Sequence, residues 1–474
     1  MKIDLENLTI RKAHEHLLKG DFSAVELSEV YLKNIEAHNK NINAYLEVFD
    51  DVATQAKETQ KIIENKKGTI LTGIPIAVKD NILIQRKRAS SASKILEGYT
   101  ATYDATVIKK LKSAGAVFLG RTNMDEFAMG GSTENSAFGP TKNPHDVSRV
   151  PGGSSGGSAA ALAMDGALAA LGSDTGGSIR QPAAFCGLVG LKPTYGAVSR
   201  YGLMAMASSL DQIGPFGKTV EDAEILFNAI KGHDPMDSTS VPDEIAKRNN
   251  EVSIKMTIGV PKDILDSPGI DALVLKNFNE EIAKLKGKGY SIKEISLPHA
   301  HFALSVYYII MPAEASTNLA RFDGVRYGLS KKGGTPFDDY AKTRGEGFGR
   351  EVRRRILLGT YVLSSGYYDA YYNKAWSLRN LIGKDFEHAF NEVDIIATPT
   401  TPTPAFKIGE KNNDPLAMYL ADVFTVPANL IGIPALSIPS GTVDRDGKKL
   451  PLGLQLMAPH FREDILFSVG KSIF

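Results

Sequence analysis

Apolar residues in the first 65 positions recur three or four places apart, which is the spacing of helices that cover a core. They predict one helix around Ala13, a second helix capped by Ser23, and a third, more polar helix over 51–65. The apolar face of the first helix is formed by Leu8, Ala13, Leu17 and Leu18. The apolar face of the second helix is formed by Leu27, Val30, Tyr31 and Ile35.

Short apolar runs that alternate with helical segments predict an α/β fold with a partly parallel sheet. Runs at 71–78, 117–121 and 167–171 have the length of buried strands, and 104–113 predicts a helix between the first two. Pro75 lies inside the first run, and proline lacks the N–H that a central strand donates. We therefore expect an edge position or an irregular start for this strand.

The second half of the chain continues this alternation around a long helical segment. Helices are predicted at 220–230 and 270–288, and strands at 255–260, 291–297, 394–397, 435–440 and 450–456. Residues 301–390 are largely helical in pattern and rich in tyrosine. Residues 188–203 contain many turn formers, and the sequence DQIGP at 211–215 predicts a sharp turn.

Composition narrows the function classes. The 474 residues carry a net charge of +1, which leaves no electrostatic footprint for nucleic acid or an anionic membrane. One cysteine, Cys186, excludes an internal disulfide and indicates a reducing compartment; its apolar neighbours predict a core position. No apolar run is long enough to span a membrane, and the N-terminal segment lacks a signal-peptide core, so we expect a cytoplasmic protein. His299 and His301 form an isolated pair, and we predict no metal site.

Two clusters of glycine and serine, at 152–158 and 175–178, flank an alanine-rich apolar run. The first cluster predicts a helix start capped by Ser154 or Ser155, and the second precedes a short helix that Gly187 ends. Backbone N–H groups at a helix start are free to meet a developing negative charge. Ser178 therefore lies where a nucleophile would stand beside an oxyanion hole.

Two other interpretations of these clusters are weaker. A flexible linker would not contain a continuous apolar run between its two halves. A phosphate-binding loop would require the pattern G-x-x-x-x-G-K-[ST] or G-x-G-x-x-G, and neither is present here.

Lys79 follows directly on the apolar run at 71–78. Lysine is rarely buried without a partner, so its position at the end of a buried strand is unusual. Burial would lower its pKa and make it a base. The alternative is a side chain that reaches solvent along the protein surface.

The segments 152–158 and 172–182, together with Lys79, resemble the motifs of the amidase signature family. That resemblance implies an α/β fold with a large mixed central β-sheet and helices on both faces. It implies one domain over 1–474: N-terminal helices at 1–65, the signature core at 66–230, and the remaining strands at 231–474, with 301–390 covering the substrate.

The resemblance also implies a Ser-cisSer-Lys triad. Ser178 would attack the amide carbonyl, and Ser154 would pass its proton to Lys79. The backbone amides of Thr175, Gly176 and Gly177 would form the oxyanion hole.

Further segments resemble one branch of that family, the glutamine-hydrolysing subunits of bacterial tRNA-dependent amidotransferases. They lie at 123–130, 314–324, 345–349, 357–360 and 364–372. Membership of this branch implies that ammonia from glutamine passes to a partner, in a heterotrimer with the B and C subunits of the amidotransferase. It implies misacylated Glu-tRNA(Gln) or Asp-tRNA(Asn) bound through the B subunit, and ATP and Mg²⁺ at that partner, with no cofactor in this chain.

The same resemblance implies that Arg355 binds the substrate carboxylate and Asp422 its amino group. Met129 and Gly130 would also bind substrate, and one of Tyr307 or Tyr308 would contact it. A free-standing amidase acting on simple amides is the main alternative function. A non-catalytic scaffold is a further alternative, although a scaffold would not require Lys79, Ser154 and Ser178 together.

Overall fold

A single mixed sheet of eleven strands forms the centre of the protein. The structure, a computed structural model, describes residues 3–246, 256–266, 269–412 and 414–473. The sheet has the strand order β1-β3-β2-β4-β6-β5-β10-β11-β9-β7-β8. The strands are β1 Tyr45–Val48, β2 Pro75–Lys79, β3 Val117–Thr122, β4 Ala169–Asp174, β5 Val189–Lys192, β6 Gln212–Gly217, β7 Thr257–Pro261, β8 Ser291–Ile295, β9 Ile395–Pro399, β10 Ala435–Arg445 and β11 Lys448–Met457.

Helices of very different lengths surround this sheet. Within the described residues they are α1 Ile10–Lys19, α2 Ala24–Ile42, α3 Val52–Glu64, α4 Thr106–Ser113, α5 Gly156–Ala163, α6 Arg180–Cys186, α7 Val220–Ile230, α8 Asp243–Ala246, α9 Lys262–Leu265, α10 Ala272–Gly287, α11 Ala303–Asn318, α12 Pro336–Gly347, α13 Arg350–Val362, α14 Lys374–Phe390, α15 Pro415–Tyr419, α16 Val426–Ile431 and α17 Glu463–Ile473. Among the helices in these ranges, none combines the length and apolar character that crossing a bilayer requires.

Strand directions bring several polar residues to one edge of the sheet. β2 is parallel to β4, and β6 is antiparallel to both β4 and β5. β2, β4 and β5 therefore point the same way, and their last residues, Lys79, Asp174 and Lys192, lie at the same edge. We call this edge the polar edge. It is where a doubly wound sheet binds its ligands.

Local sequence signals explain where several helices begin. Ser23 caps α2, and Glu26 bonds back to it in a capping box. α7 begins with the same device at Thr219 and Asp222. Asp222 also accepts a hydrogen bond from the N–H of Ile10 at 2.7 Å, which fastens α1 to the sheet-packed α7. α7 has the bounds that the sequence predicts.

Several sequence predictions for the sheet are wrong. The segment around DQIGP is not a sharp turn but the start of β6, and the turn-rich segment after Leu188 contains β5. Pro75 does not mark an edge strand: β2 lies between β3 and β4, and Pro75 is its first residue, which is the irregular-start alternative. β1 was not predicted. Residue 255, predicted as strand, lies outside the described residues.

Leu18 is also misplaced by the sequence pattern. The buried residues of α1 are Ile10, Ala13 and Leu17, whereas Leu18 is 57% exposed. One residue corresponds to a rotation of about 100° on a helix, so Leu18 lies outside the buried stripe.

Candidate active site

Lys79 lies in the interior, at the polar edge, with an exposed fraction of 0%. The alternative of a side chain that reaches solvent is therefore wrong. Its amine donates hydrogen bonds to the hydroxyls of Ser154 and Ser155 at 2.8 Å each and to Ser173 Oγ at 2.9 Å. The Ser173 carbonyl lies at 3.3 Å. Three hydroxyl groups and a carbonyl thus surround one amine, and no carboxylate of the described residues bonds to it directly.

Burial decides the protonation state of this amine. Removal from water favours the neutral form and lowers the pKa of Lys79 to about 7. The more distant carboxylates of Asp125, Asp174 and Asp211 oppose that shift. Near neutral pH a large fraction of the amine can therefore accept a proton.

Ser154 is presented by a tightly packed turn before α5. The Gly153–Ser154 peptide bond is cis. The Ser154 carbonyl accepts a hydrogen bond from the N–H of Asp125 at 3.2 Å. A Cβ on Gly153 would lie 2.2 Å from Asp125 Oδ2, so only glycine fits there. Burial raises the pKa of Asp125 to about 6, although its carboxylate accepts N–H groups that favour the charged form, among them that of Thr133 at 2.8 Å.

Ser155 stands at the N-cap position of α5 but does not cap the helix. Its hydroxyl instead donates to the Ser173 carbonyl at 3.0 Å and accepts from Lys79. The sequence prediction of a serine cap therefore has the right position and the wrong bond, because the buried amine competes for the hydroxyl.

Ser178 lies two residues before α6 and is 7% exposed. Its carbonyl accepts the N–H of Ser155 at 3.2 Å, which holds the two serine-rich segments together. The backbone N–H groups of Thr175 and Gly176 have no hydrogen-bond acceptor among the described residues. The N–H of Gly177, in contrast, donates to Asp174 Oδ1 at 2.9 Å.

Residues 175–179 connect β4 to α6, and we call them the Ser178 turn. Asp174 and Arg180 form a fully buried ion pair beneath it, with 2.9 Å between Arg180 Nη2 and Asp174 Oδ1. Burial opposes the charge on Asp174, but the guanidinium and several hydrogen bonds hold the pKa of this carboxyl well below its usual range. Arg180 Nη1 also donates to the Thr425 carbonyl at 2.8 Å and to Gln455 Oε1 at 2.7 Å. Asn429 Nδ2 donates to Asp174 Oδ1 at 2.8 Å. The pair thus joins the Ser178 turn to the C-terminal part of the chain.

Arg355 and Asp422 come together around two stacked tyrosine rings. Arg355 is 3% exposed and donates from Nε to Glu351 Oε1 at 2.7 Å. Its guanidinium lies 5.3 Å from the ring centre of Tyr308 and 5.5 Å from that of Tyr419. The Tyr308 hydroxyl donates to Asp422 Oδ2 at 3.4 Å. Burial raises the pKa of Asp422 to about 7, and the charge of Arg355 opposes this rise.

The two candidate tyrosines have different neighbours. Tyr307 lies against the Ser178 turn, since a Cβ on Gly176 would lie 2.8 Å from its ring. Tyr308 lies between Arg355 and Asp422. The tyrosine pair on α11 therefore connects the turn that carries Ser178 with the charged pair.

Met129 and Gly130 lie in the loop after β3, on the Asp125 side of the site. Met129 is buried, and its carbonyl accepts from Asn135 Nδ2 at 3.2 Å. A Cβ on Gly130 would lie 2.3 Å from the Asp125 carboxyl carbon. These two residues therefore pack around the segment that holds Ser154.

Sequence reasoning missed several residues that support this site. Ser173, Asp125 and the Asp174–Arg180 pair were not assigned roles, and Ser155 was assigned only a possible helix cap. The acidic and basic residues of the pair lie six positions apart around the glycines of the second cluster. Two residues of opposite charge on either side of a predicted buried turn could have indicated this ion pair. The hydroxyl of Ser173 gave none, because it lies at the end of an ordinary strand.

The other candidate groups lie apart from these contacts. Burial raises the pKa of the Cys186 thiol, and its sulfur lies 3.4 Å from the Pro151 carbonyl oxygen. His299 Nδ1 lies 3.0 Å from Asp385 Oδ1. Within the part of the chain that the structure describes, no group of three or more His, Cys, Asp or Glu side chains could hold a metal ion.

Comparison with known proteins identifies the class. A family model described as Amidase matches residues 26–467. The chain belongs to the amidase signature family.

Relatives within that class share one description. The A subunit of glutamyl-tRNA(Gln) amidotransferase from Carboxydothermus hydrogenoformans is 53% identical over 477 residues, which cover 99% of this chain and 97% of the relative. The protein of the same name from Microcystis aeruginosa is 53% identical over 469 residues, 98% of this chain and 96% of the relative. The crystal structure of the corresponding A subunit from Thermotoga maritima has a TM-score of 0.81 and 42% identity, and covers 100% of this chain and 95% of that one. These matches and the eleven-stranded sheet confirm the predicted fold class.

Proposed function

We propose that this chain is the glutaminase subunit of a glutamyl-tRNA(Gln) amidotransferase. The similarity to proteins of that description, which extends over nearly the whole chain, supports the assignment. The observation that carries the chemistry is the buried Lys79 amine, hydrogen-bonded to Ser154 at 2.8 Å with a pKa of about 7. A neutral amine at that position is a general base at physiological pH.

The proposed reaction passes through an acyl-enzyme. Lys79 takes the proton of the Ser154 hydroxyl while Ser154 takes the proton of Ser178. Ser178 Oγ then bonds to the side-chain amide carbon of glutamine. The tetrahedral adduct collapses when the proton returns to the nitrogen, and ammonia leaves. Water then attacks the ester by the same proton path, and glutamate and free Ser178 are regenerated.

The oxyanion is proposed to bind the backbone amides of the turn before Ser178. The N–H groups of Thr175 and Gly176 have no acceptor among the described residues, which supports them as donors. Gly177 remains a proposed donor. It would have to share its N–H between Asp174 and the oxyanion.

Arg355 and Asp422 are proposed to bind the two charged groups of the glutamine backbone. A guanidinium offers a planar fork to a carboxylate, and a carboxylate accepts from an ammonium. Glu351 occupies Arg355 Nε, so the terminal nitrogens would bind the substrate. Asp422 must be ionised for this role, and the charge of Arg355 favours its ionised form. Met129 and Gly130 are proposed to line the same site.

The ammonia is proposed to reach a partner that carries out the transamidation. That partner, the B subunit, would bind the misacylated tRNA, with ATP and Mg²⁺, and the C subunit would complete the heterotrimer. No cofactor is assigned to this chain. The net charge of +1 agrees with tRNA binding elsewhere in the assembly.

The experiment is ammonia release from glutamine by the chain co-expressed with its partner subunits, compared with the Ser178→Ala variant. We expect the variant to lose activity entirely, because no nucleophile remains. Ser28→Ala is the matched control, since Ser28 is also buried but donates only to the Ala24 carbonyl within α2. Retained activity in Ser178→Ala would disprove the nucleophile assignment.

A free-standing amidase is the second candidate, because one solved structure described as an amidase shares this fold, with 28% identity and a TM-score of 0.82. Arg355→Met separates the two functions. If the chain is a glutaminase, we expect this substitution to raise KM for glutamine about 100-fold or more, because a charged hydrogen bond to the substrate is lost. The turnover of simple amides should be unaffected. Arg353→Met, on the exposed side of the same helix, is the control. Fast turnover of many simple amides, insensitive to Arg355, would establish the alternative.

A further inference from the structure

Thr425 lies at the junction between the Ser178 turn and the segment that carries Asp422, and it has no role in the reaction proposed above. Its side chain is fully buried. Its hydroxyl donates to the Gly176 carbonyl at 2.6 Å and lies 3.2 Å from the Asp422 carbonyl. A hydroxyl carries one proton, so the shorter bond, to Gly176, is the one it makes.

The position of Thr425 in the chain makes this bond unusual. Thr425 is the N-cap residue of α16, and a threonine there normally bonds its hydroxyl to the helix N–H groups. The side chain makes no such capping bond here. The hydroxyl bonds to the turn that precedes Ser178 and not to its own helix.

The bond fixes the orientation of one peptide plane. The Gly176 carbonyl is held by Thr425, and the N–H of the same peptide, on Gly177, is held by Asp174 at 2.9 Å. A peptide fastened at both ends cannot rotate. The direction of the neighbouring Gly176 N–H, which is a proposed oxyanion donor, depends on that plane.

The packing around this peptide leaves no space for it to move. A Cβ on Gly177 would lie 2.3 Å from Thr425 Oγ1, and the φ of Gly177 is +140°. The Thr425 carbonyl is itself fixed by Arg180 at 2.8 Å, and its N–H donates to the Asp422 carbonyl at 3.1 Å. Thr425 is therefore bonded on one side to the turn and on the other to the proposed binding segment for the substrate amino group.

We propose that Thr425 is a positioning residue, which orients the oxyanion-binding peptide and ties it to the segment that carries Asp422. It does not touch the substrate; it acts through Gly176 and Asp422. The inference rests on the proposed function for the identity of the substrate. The orientation of the peptide concerns any amide that the site hydrolyses.

The test uses Thr425→Val, which keeps the shape and removes the hydroxyl, and Thr425→Ser, which keeps the hydroxyl. We expect Thr425→Val in the co-expressed complex to lower kcat for glutamine about 10- to 100-fold, less than the loss of a whole oxyanion donor, with KM changed less than about twofold. Thr425→Ser should recover kcat to within about threefold of the unmodified protein, since it restores the bond. The control is Thr59→Val, a buried threonine whose hydroxyl donates to the Ala56 carbonyl in α3.

The tie to Asp422 is tested by a double-mutant cycle with Asp422→Asn. We expect the double variant to lose less kcat than the product of the two single losses, because the Thr425 backbone is bonded to the Asp422 carbonyl and both variants disturb one connected segment. Multiplicative losses would overturn the tie. An unchanged kcat in Thr425→Val would overturn the positioning role. So would a Thr425→Ser variant that is as slow as Thr425→Val, provided that thermal melting shows both variants to be folded.

Failure of the proposed function is distinguishable from failure of this inference. If the unmodified complex hydrolyses simple amides and not glutamine, the proposed substrate is wrong. The ratio of kcat between Thr425→Val and unmodified protein, measured on whichever amide is used, still decides the role of Thr425.

Discussion

Two buried lysines end strands at the polar edge, and their hydrogen-bond partners differ. Lys79 ends β2, and Lys192 ends β5. Both are buried, and burial lowers the pKa of each to about 7. Three serine hydroxyls surround the Lys79 amine, whereas the Lys192 amine donates to the carbonyl of its own neighbour, Pro193, at 2.9 Å.

Burial alone gives each lysine a lowered pKa, so the proposed catalytic role of Lys79 rests on its hydroxyl partners as well. The neutral amine of Lys192 has no hydroxyl among its hydrogen-bond partners in the described residues. The neutral amine of Lys79 lies 2.8 Å from a serine that can pass a proton on. The lowered pKa is therefore common to both lysines, and only the hydrogen bonds of Lys79 favour it as the proposed base.

The largest expected effect separates the two lysines by activity. We expect Lys79→Met to lower kcat for ammonia release about 10⁴-fold, because methionine keeps the length and removes the base. Lys192→Met should keep kcat within about tenfold of the unmodified protein, since no proton path leads from it. Equal losses in the two variants, with both proteins folded, would contradict the comparison.

A second test removes a charge that acts on both lysines. Asp174 raises the pKa of each, and it neutralises Arg180. Asp174→Asn should lower the free energy of unfolding by about 3–5 kcal/mol, because it leaves a buried guanidinium without its partner. Urea unfolding of the variant and of the unmodified protein measures this difference in the free energy of unfolding.

The control for that experiment is Glu294→Gln, which breaks a surface ion pair with Lys262. Surface pairs contribute little, so no resolvable change is expected. If Asp174→Asn were as mild as this control, the buried pair would not be holding the turn.

The third test compares the lysines by stability. Each unfolded lysine keeps its proton up to about pH 10.5, whereas each folded one loses it above about pH 7. Between these values the unfolded state binds more protons, so the free energy of unfolding rises with pH. Lys79→Met and Lys192→Met should each reduce that slope by up to about 1.4 kcal/mol per pH unit.

Unfolding by urea at pH 7.5 and 9.5 measures the slope. The two variants should reduce it alike although only one loses activity. A slope that only Lys79→Met reduces would show that Lys192 stays charged in the folded protein.

The smallest expected effect concerns the pH profile of the rate. kcat/KM for glutamine should fall as the pH drops below about 7, because Lys79 becomes protonated and ceases to be a base, and because Asp422 loses its charge in the same range. Lys192→Met should move that midpoint by less than about half a pH unit, since Lys192 is not among the groups that shift Lys79. A shift of more than about one unit would show that the two amines are electrostatically coupled.

The sequence predicted the helices better than the middle of the sheet. α7 begins and ends where its pattern predicts, because the capping residue Thr219 and the apolar spacing agree. β6 has the sequence QIGPFG, in which glycine and proline indicate a turn. All six of its residues are buried between β4 and β5, and this tertiary packing overrides the local preference.

The site was predictable only in part for a similar reason. Ser178, Ser154 and Lys79 lie in recognisable segments, and the structure brings the Lys79 amine to Ser154. The partners of Arg180 at 425, 429 and 455 lie more than two hundred positions further along the chain. No local pattern reports which distant carbonyl or amide will meet a buried guanidinium.

The distance between Arg180 and its acceptors has a consequence for protein synthesis. The ribosome synthesises Lys79, Ser154 and Ser178 first, whereas Thr425 and Gln455, which accept from Arg180, follow more than two hundred positions later. Until then the guanidinium would be without these acceptors, and the cost of burying it favours a turn that stays open to water. Before residues 425 and 455 are synthesised, the segment around Ser178 should therefore lack the packing that orders it in the folded protein.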